Sequence, residues 1–264
     1  MDTAARQGDT VARTYRQIPT EILRGISVVA TDIDGTLTGP DGVIRSAAAR
    51  AVHDIEAHGI PVCLLSGRTI DTVEDVARRL QTTGFLVGED GGVAKRRVGA
   101  TLTDLGYSRR PALNALAILR ATLGDRIQET EDNQCRLVDV AIRNEGIRVR
   151  QIRRLLDGVS VLDSGFMIHL VDVRVSKAAT LLRLLSGNGS PTATPPQAVL
   201  VFGDSPTDLS LFHEFPHSVL VSNPVQDEAE ARRLRKAAAY STESSYGEGF
   251  AEVVRFLIEA RRSP

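Results

Sequence analysis

The stretch that most constrains this chain is an apolar run, Ile26 to Ala30, that leads into Asp32-Ile33-Asp34-Gly35-Thr36. The run is short, apolar and partly β-branched, the composition of a strand buried on both faces of a parallel sheet. Asp32 and Asp34 then stand where the strand ends, and open α/β sheets bind ligands at the carboxyl ends of their strands. Two carboxylates this close repel each other unless a cation lies between them or one of them keeps its proton. A hard divalent cation such as Mg²⁺ takes a few carboxylates together with substrate phosphate oxygens. With a metal there, one aspartate can attack phosphorus while the other gives a proton to the leaving group and takes one from water. Gly35 lets the backbone turn close to a ligand, and Thr36 offers a hydroxyl to a phosphate oxygen. An Asp- and Gly-rich turn alone would share this composition, so the rest of the chain has to supply the remaining parts.

It does so at three further places. Ile60 to Leu65 reads as a second strand running into Ser66-Gly67-Arg68, where a hydroxyl and free backbone N–H groups suit a phosphate. A helix follows, with Asp71 and Glu74 spaced as a capping pair. Ser176 is a good N-cap, which puts Lys177 in the first turn of a helix. A cation there opposes the helix dipole, yet it joins a full charge to free N–H groups and so suits an anion. Such conflicts between local preference and position mark functional sites. Ala198 to Phe202 is another buried strand, ending in Gly203-Asp204-Ser205-Pro206-Thr207-Asp208. Asp208 lies three residues after Ser205, the spacing of a capping box, whereas Asp204 has no such local role and with Gly203 reads as a metal-binding turn.

Strands alternating with helices as far as Phe85–Gly88 predict a parallel sheet with right-handed crossovers. The pattern then changes to a helix over Pro111–Leu123, with Leu113, Leu116, Ala117 and Leu119 at helical spacing. A strand over Cys135–Ile142, a helix over Ile147–Leu156 and a hairpin through Ser160–Leu162 and Phe166–Leu170 follow. This suggests an inserted α+β unit. His169, at its end, reads as a hydrogen-bonded structural histidine or, alternatively, a substrate contact. Gly187 to Pro196 has the composition of an exposed loop, and Asp227 to Ala239 is a charged helix with a solvated face. Before Ile26, the spacing of Val11, Tyr15, Ile18 and Ile22 predicts a short amphipathic helix interrupted near Pro19.

Composition removes several classes of function. The net charge of -1 gives no global field for nucleic acid or an anionic membrane. No apolar run approaches transmembrane length, and the first residues lack the apolar centre of a secretory signal. Two cysteines, Cys63 and Cys135, make neither a disulfide framework nor a Cys-rich metal site. A cytoplasmic enzyme is the expectation, with self-association left open.

Asp32/Asp34, Ser66, Lys177 and Asp204/Asp208 together resemble, in order and type, the four motifs of the haloacid dehalogenase superfamily. Within it the chain is most similar to archaeal-type phosphoglycolate phosphatases, through Phe85 to Val93, Ile168-His169-Leu170 before Ser176-Lys177, and Tyr246 to Phe250. It departs from them at Asp90, Ser176, Ala178 and Thr207, where the family usually has Asn, Asp, Gly and Asn.

The resemblance implies an α/β fold: a Rossmann-like parallel core over residues 26–94 and 170–264, an α+β cap over 95–169, and an extension over 1–25. It implies a Mg²⁺-dependent phosphatase working through an aspartyl phosphate on a small phosphorylated metabolite, with 2-phosphoglycolate first. Sugar phosphates, mannosyl-3-phosphoglycerate and a non-catalytic binding module are the alternatives. Asp32 is then the nucleophile and Asp34 the acid and base. Asp32, Asp34, Asp204 and Asp208 hold the metal. Thr36, Ser66, Gly67, Arg68 and Lys177 hold the phosphoryl group. Arg136, Arg143 and Arg148 are the candidates for the carboxylate of phosphoglycolate.

Overall fold

The computed structural model describes residues 12–164, 167–187 and 193–262. In chain order the elements begin β1 (Arg13–Thr14), α1 (Thr20–Gly25), β2 (Val28–Asp32), α2 (Ser46–Ala57), β3 (Val62–Leu65), α3 (Ile70–Leu80), β4 (Leu86–Gly88) and β5 (Val93–Lys95). The middle of the chain gives α4 (Arg110–Leu123), β6 (Val140–Arg143), α5 (Val149–Leu155), β7 (Val159–Asp163) and β8 (Met167–Asp172). It closes with α6 (Lys177–Leu185), β9 (Val199–Gly203), α7 (Leu209–Glu214), β10 (Ser218–Ser222), α8 (Glu228–Ala237), β11 (Tyr240–Ser245) and α9 (Tyr246–Arg262).

The larger sheet runs β1-β11-β10-β9-β2-β3-β4-β5. Its neighbours are parallel except at the β4–β5 edge, where the chain doubles back. Every residue of β2, β3 and β9 is buried, which is why β3, β9 and the start of β2 read as apolar runs. Successive residues of β2 serve opposite faces. Val29 packs in the cluster that includes α2, α3 and α9, while Val28 and Ala30 pack with α6 and α7. From β2 the chain builds outward through β3 and β4, and later from β9 through β10 and β11 on the other side. The sheet thus reverses its winding between β2 and β9, the position where open α/β sheets form a ligand crevice.

Residues between β5 and α6 build a three-stranded antiparallel sheet, β6-β8-β7, with α4 and α5 against it over a separate apolar cluster. Of the expected hairpin, Gly165 and Phe166 lie outside the described residues. Much of the expected Gly187–Pro196 loop (188–192) also lies outside them.

Several expectations are corrected. The amphipathic helix predicted over Val11 to Ile22 is a short strand, β1, then a 3-10 turn at Tyr15–Gln17, and a helix only after Pro19. The residue before a proline is pushed out of the helical region, and Ile18 is extended. Val11 lies outside the described residues. The segment packs on the body: Tyr15 is buried and meets Phe256 edge to face, and β1 pairs with β11. In α4 the buried stripe is Ala112, Ala115, Leu116 and Leu119, while Leu113 is 47% exposed. Cys135 sits in a 3-10 turn, and the strand begins at Val140. Asp71 and Glu74 do not cap α3. Glu74 is buried and accepts hydrogen bonds from Lys95, Arg78 and the Gly99 N–H, tying α3 to the β5 edge.

Candidate active site

β2, β3 and β9 end side by side, and so bring Asp32, Ser66 and Asp204 to one rim of the sheet. Carboxylate oxygens of Asp32, Asp204 and Asp208 lie within 4.8 Å of one another, and all three residues are buried. Lys177 reaches into the group from the first turn of α6, whose N-cap Ser176 accepts the Ala179 N–H. Its Nζ donates to Asp32 Oδ1 at 2.6 Å, Asp208 Oδ1 at 2.8 Å and Thr207 Oγ1 at 3.2 Å, and lies 3.9 Å from Asp90. Lys177 is 1% exposed, so an isolated ammonium there would be untenable. Burial lowers its pKa, but Asp208, Asp32 and Asp90 outweigh this and hold it well above the ordinary value.

One lysine does not neutralise this cluster. Burial, with the charges of Asp208, Asp204 and Asp34, pushes Asp32 well above the usual carboxylate range despite Lys177. Burial and the Asp208 charge raise Asp204 likewise, against donors from Asn223 and Thr36. Buried oxygen donors short of positive charge are the donor set of a hard divalent cation.

The three carboxylates differ in their freedom to take a metal. Asp208 forms the expected capping box: its Oδ2 accepts the Asp204 and Ser205 N–H groups, and its Oδ1 holds Lys177. Asp204 accepts from Thr36 Oγ1 at 2.9 Å and Asn223 Nδ2 at 2.7 Å, and its carbonyl is held by Gln226. The Thr36 proton therefore goes to Asp204 rather than to a phosphate oxygen. Asp32 has Lys177 as its partner and is otherwise open to a ligand.

Asp34 stands apart from these three. Its carboxylate turns outward and is gripped by the Arg68 fork, with Nε on Oδ2 at 2.8 Å and Nη2 on Oδ1 at 2.5 Å. Ser66 Oγ accepts the Arg68 N–H at 3.1 Å, which leaves the hydroxyl proton to be donated. Gly67 is needed for space, since a Cβ there would lie 3.0 Å from Asp90 Oδ2 and 3.3 Å from His169 Nε2.

Gly35 is held at φ +82°, and a Cβ on it would lie 2.3 Å from Asp204 Oδ2. Gly35→Ala is therefore expected to displace Asp204, lower turnover at least tenfold and cost about 1 kcal/mol or more in stability. Turnover and thermal melts check this; wild-type turnover in the variant would contradict it.

Glu89 and Asp139, which sequence reasoning missed, tie the small sheet to the site together with His169 and with Arg136, which was expected to meet a substrate carboxylate. Glu89 is fully buried and accepts the N–H groups of Leu137, Val138 and Asp139 at 2.6–2.9 Å. Arg136 donates through Nη1 to both oxygens of Asp139 and to the Gly67 carbonyl, and through Nη2 to Asp132. Asp139 also holds His169 Nδ1 at 2.7 Å. His169 thus takes the structural role, in a buried network that touches the Ser66–Arg68 turn. Asp90, at φ 54°, has both carboxylate oxygens buried without a hydrogen-bond partner. The repeated acids in Glu89-Asp90-Gly91-Gly92 were the sequence signal for this contact.

Burial lowers the His169 pKa, but the hydrogen bond to Asp139 and the charges of Asp90 and Asp139 raise it above its ordinary 6.5. A histidine raised in this way contributes its full stabilisation below about pH 6.5, and the contribution is lost as pH rises through the higher folded value. The thermal midpoint of the wild type should therefore fall relative to that of His169→Gln as pH rises above about 6.5. Parallel pH profiles would contradict this.

Residues 29–133 match the haloacid dehalogenase-like hydrolase family. A phosphoglycolate phosphatase of Methanoculleus marisnigri is 31% identical over 245 residues, covering 87% of this chain and 96% of the relative. One from Methanospirillum hungatei is 30% identical over 238 residues, covering 89% and 96%. Among solved structures, Thermoplasma acidophilum 0175 superposes with a TM-score of 0.74 at 22% identity, covering 88% of this chain and 98% of that one. The sucrose-phosphatase of Synechocystis superposes with a TM-score of 0.68 at 17% identity, covering 89% and 98%, and shares the fold.

Proposed function

Because the chain belongs to the haloacid dehalogenase-like hydrolases and is a phosphatase, we propose that it hydrolyses 2-phosphoglycolate to glycolate and phosphate, through an aspartyl phosphate on Asp32. The observation that carries the chemistry is the buried carboxylate cluster around Lys177. The substrate rests on the relatives of that name, similar over nearly their whole length.

Asp32 attacks phosphorus. The new Asp32 O–P bond forms as the P–O bond to glycolate breaks, and Asp34 supplies the proton that glycolate takes. In the second step Asp34 takes a proton from water, whose oxygen attacks phosphorus and frees Asp32 and phosphate. Lys177, the Ser66 hydroxyl and the backbone N–H groups around Gly67 bind the phosphoryl oxygens and offset charge that develops on them. Asp32, Asp204 and the Asp34 carbonyl would hold Mg²⁺, with Asp208 one shell out because its oxygens already serve Lys177 and the turn. Such an ion supplies further positive charge to the phosphoryl oxygens. Unaided phosphomonoester hydrolysis is slow enough that enzymes accelerate it by up to ~10²¹, so the group has to be surrounded by charge on every side.

The unit from Lys95 to His169 acts as a cap over the site, excluding water and choosing the leaving group. Its attachment to the Ser66–Arg68 turn through Arg136 supports this. We also take the enzyme to be cytoplasmic, in keeping with Cys63 and Cys135, both of them free thiols.

The test is phosphate release, with and without Mg²⁺, from 2-phosphoglycolate, hexose phosphates and mannosyl-3-phosphoglycerate. Preference for 2-phosphoglycolate is the expected result. Preference for a sugar ester would keep the chemistry and overturn the substrate. Release from none of them would overturn both.

A further inference from the structure

We infer that Arg68 is the receptor for a carboxylate on the leaving group, and that Asp34 occupies that receptor when substrate is absent. The inference rests on the phosphoglycolate reading and deepens it, moving Arg68 from the phosphoryl group to the leaving group.

The geometry of the pair carries the argument. Both Asp34 oxygens lie on the planar fork of one guanidinium, the bidentate pairing by which arginine recognises a carboxylate. The pair also lies on the open side of the site. The side chains of Arg68 and Asp34 are 26% and 40% exposed, against 6% or less for Asp32, Asp90, Lys177 and Asp208. An incoming molecule can therefore reach this fork without breaking the buried cluster.

Reach points the same way. In 2-phosphoglycolate one methylene separates the ester oxygen from the carboxylate. In the proposed reaction Asp34 serves that ester oxygen, so the substrate carboxylate must come to rest beside Asp34. The guanidinium already bonded to Asp34 is the cation at that distance. When the substrate carboxylate takes the fork, the Asp34 oxygens are released toward the ester oxygen they act on. A leaving group without a carboxylate leaves Asp34 clamped.

The cap arginines do not compete for this role. Arg136 is fully buried, with Nη1 on Asp139 and the Gly67 carbonyl and Nη2 on Asp132. Arg143 closes β6 at the end away from the stretch gripped by Glu89, and both it and Arg148 are exposed.

The experiment compares kcat and KM for 2-phosphoglycolate and for ethyl phosphate, which has the same length and no carboxylate. The wild type, Arg68→Ala and Arg68→Lys are each measured with Mg²⁺, along with competitive inhibition by glycolate. Both variants should raise the KM for 2-phosphoglycolate, Arg68→Ala by about 30-fold or more. Arg68→Lys keeps the charge but loses the fork, and should fall between Arg68→Ala and the wild type. KM for ethyl phosphate should move less than about threefold, and glycolate inhibition should weaken in step with the 2-phosphoglycolate effect. Equal KM changes for the two esters, or none for either, would overturn the role of Arg68 while the wild-type preference stood. A wild type that shows no preference for 2-phosphoglycolate over ethyl phosphate would overturn the substrate reading itself, and this inference with it.

Discussion

Asp32→Asn is expected to reduce phosphate release by a factor of about 10⁴ or more while leaving the chain folded. The amide is not a nucleophile toward phosphorus, and the two carboxylates clustered with Asp32 are already engaged. Asp204 is fixed by Thr36 and Asn223, and Asp208 by Lys177 and the turn it caps. The fold should not suffer, because asparagine keeps the volume and an oxygen that can accept from Lys177. That lysine also keeps Asp208 at 2.8 Å. The sign of the stability change follows from the pKa. Burial raises Asp32 well above the ordinary carboxylate range, so its charged form is less favourable in the folded chain than in the unfolded one. Removing the charge at neutral pH should leave the thermal midpoint unchanged or higher. Phosphate release and thermal melts of the same preparation test both halves. Retained turnover would remove Asp32 from its role, and a melt lowered by more than about 5 °C would contradict the charge argument.

Lys177→Met should do the opposite to stability and the same to turnover. Methionine preserves most of the buried stem but removes the cation that Asp32, Asp208 and Asp90 share. Breaking a buried pair by deleting one partner costs about 3–5 kcal/mol, because the remaining charge is left uncompensated. In a chain of this size that is a fall of roughly 10 °C in the thermal midpoint. If the loss is electrostatic, adding Asp90→Asn to Lys177→Met should recover part of it, and Mg²⁺ should raise the midpoint more in the variant than in the wild type. A Lys177→Met protein as stable as the wild type would mean that the cluster is balanced in some other way.

The candidate site was legible in the sequence wherever one strand end carried its residues. Asp32, Ser66 and Asp204 each follow an apolar run directly, and a parallel strand buried on both faces leaves little else such a run can become. Lys177 was legible because it opposes the helix dipole, so its position needed a reason other than local propensity. Residues whose roles depend on partners far along the chain were not legible. Glu89 bonds N–H groups about fifty residues away, and Arg136 reaches back to Gly67. Glu74 looked like a capping residue because the spacing fitted, but Lys95 and Gly99 claimed its carboxylate. Thr36 was assigned to the phosphate on its hydroxyl alone, and only the approach of β9 showed that Asp204 takes that proton. β1 has two residues and exists because β11 offers an edge for it. A local pattern of apolar residues could not distinguish this from a helix.

The most direct test of the central claim is to mix enzyme, Mg²⁺ and 2-phosphoglycolate, quench in acid within the first turnover, and locate the phosphoryl group by mass spectrometry of the digested chain. The account predicts a phosphoryl group on the peptide containing Asp32, absent when Asp32→Asn is treated in the same way. A phosphoryl group on another residue, or turnover with no labelled peptide at any quench time, would contradict it.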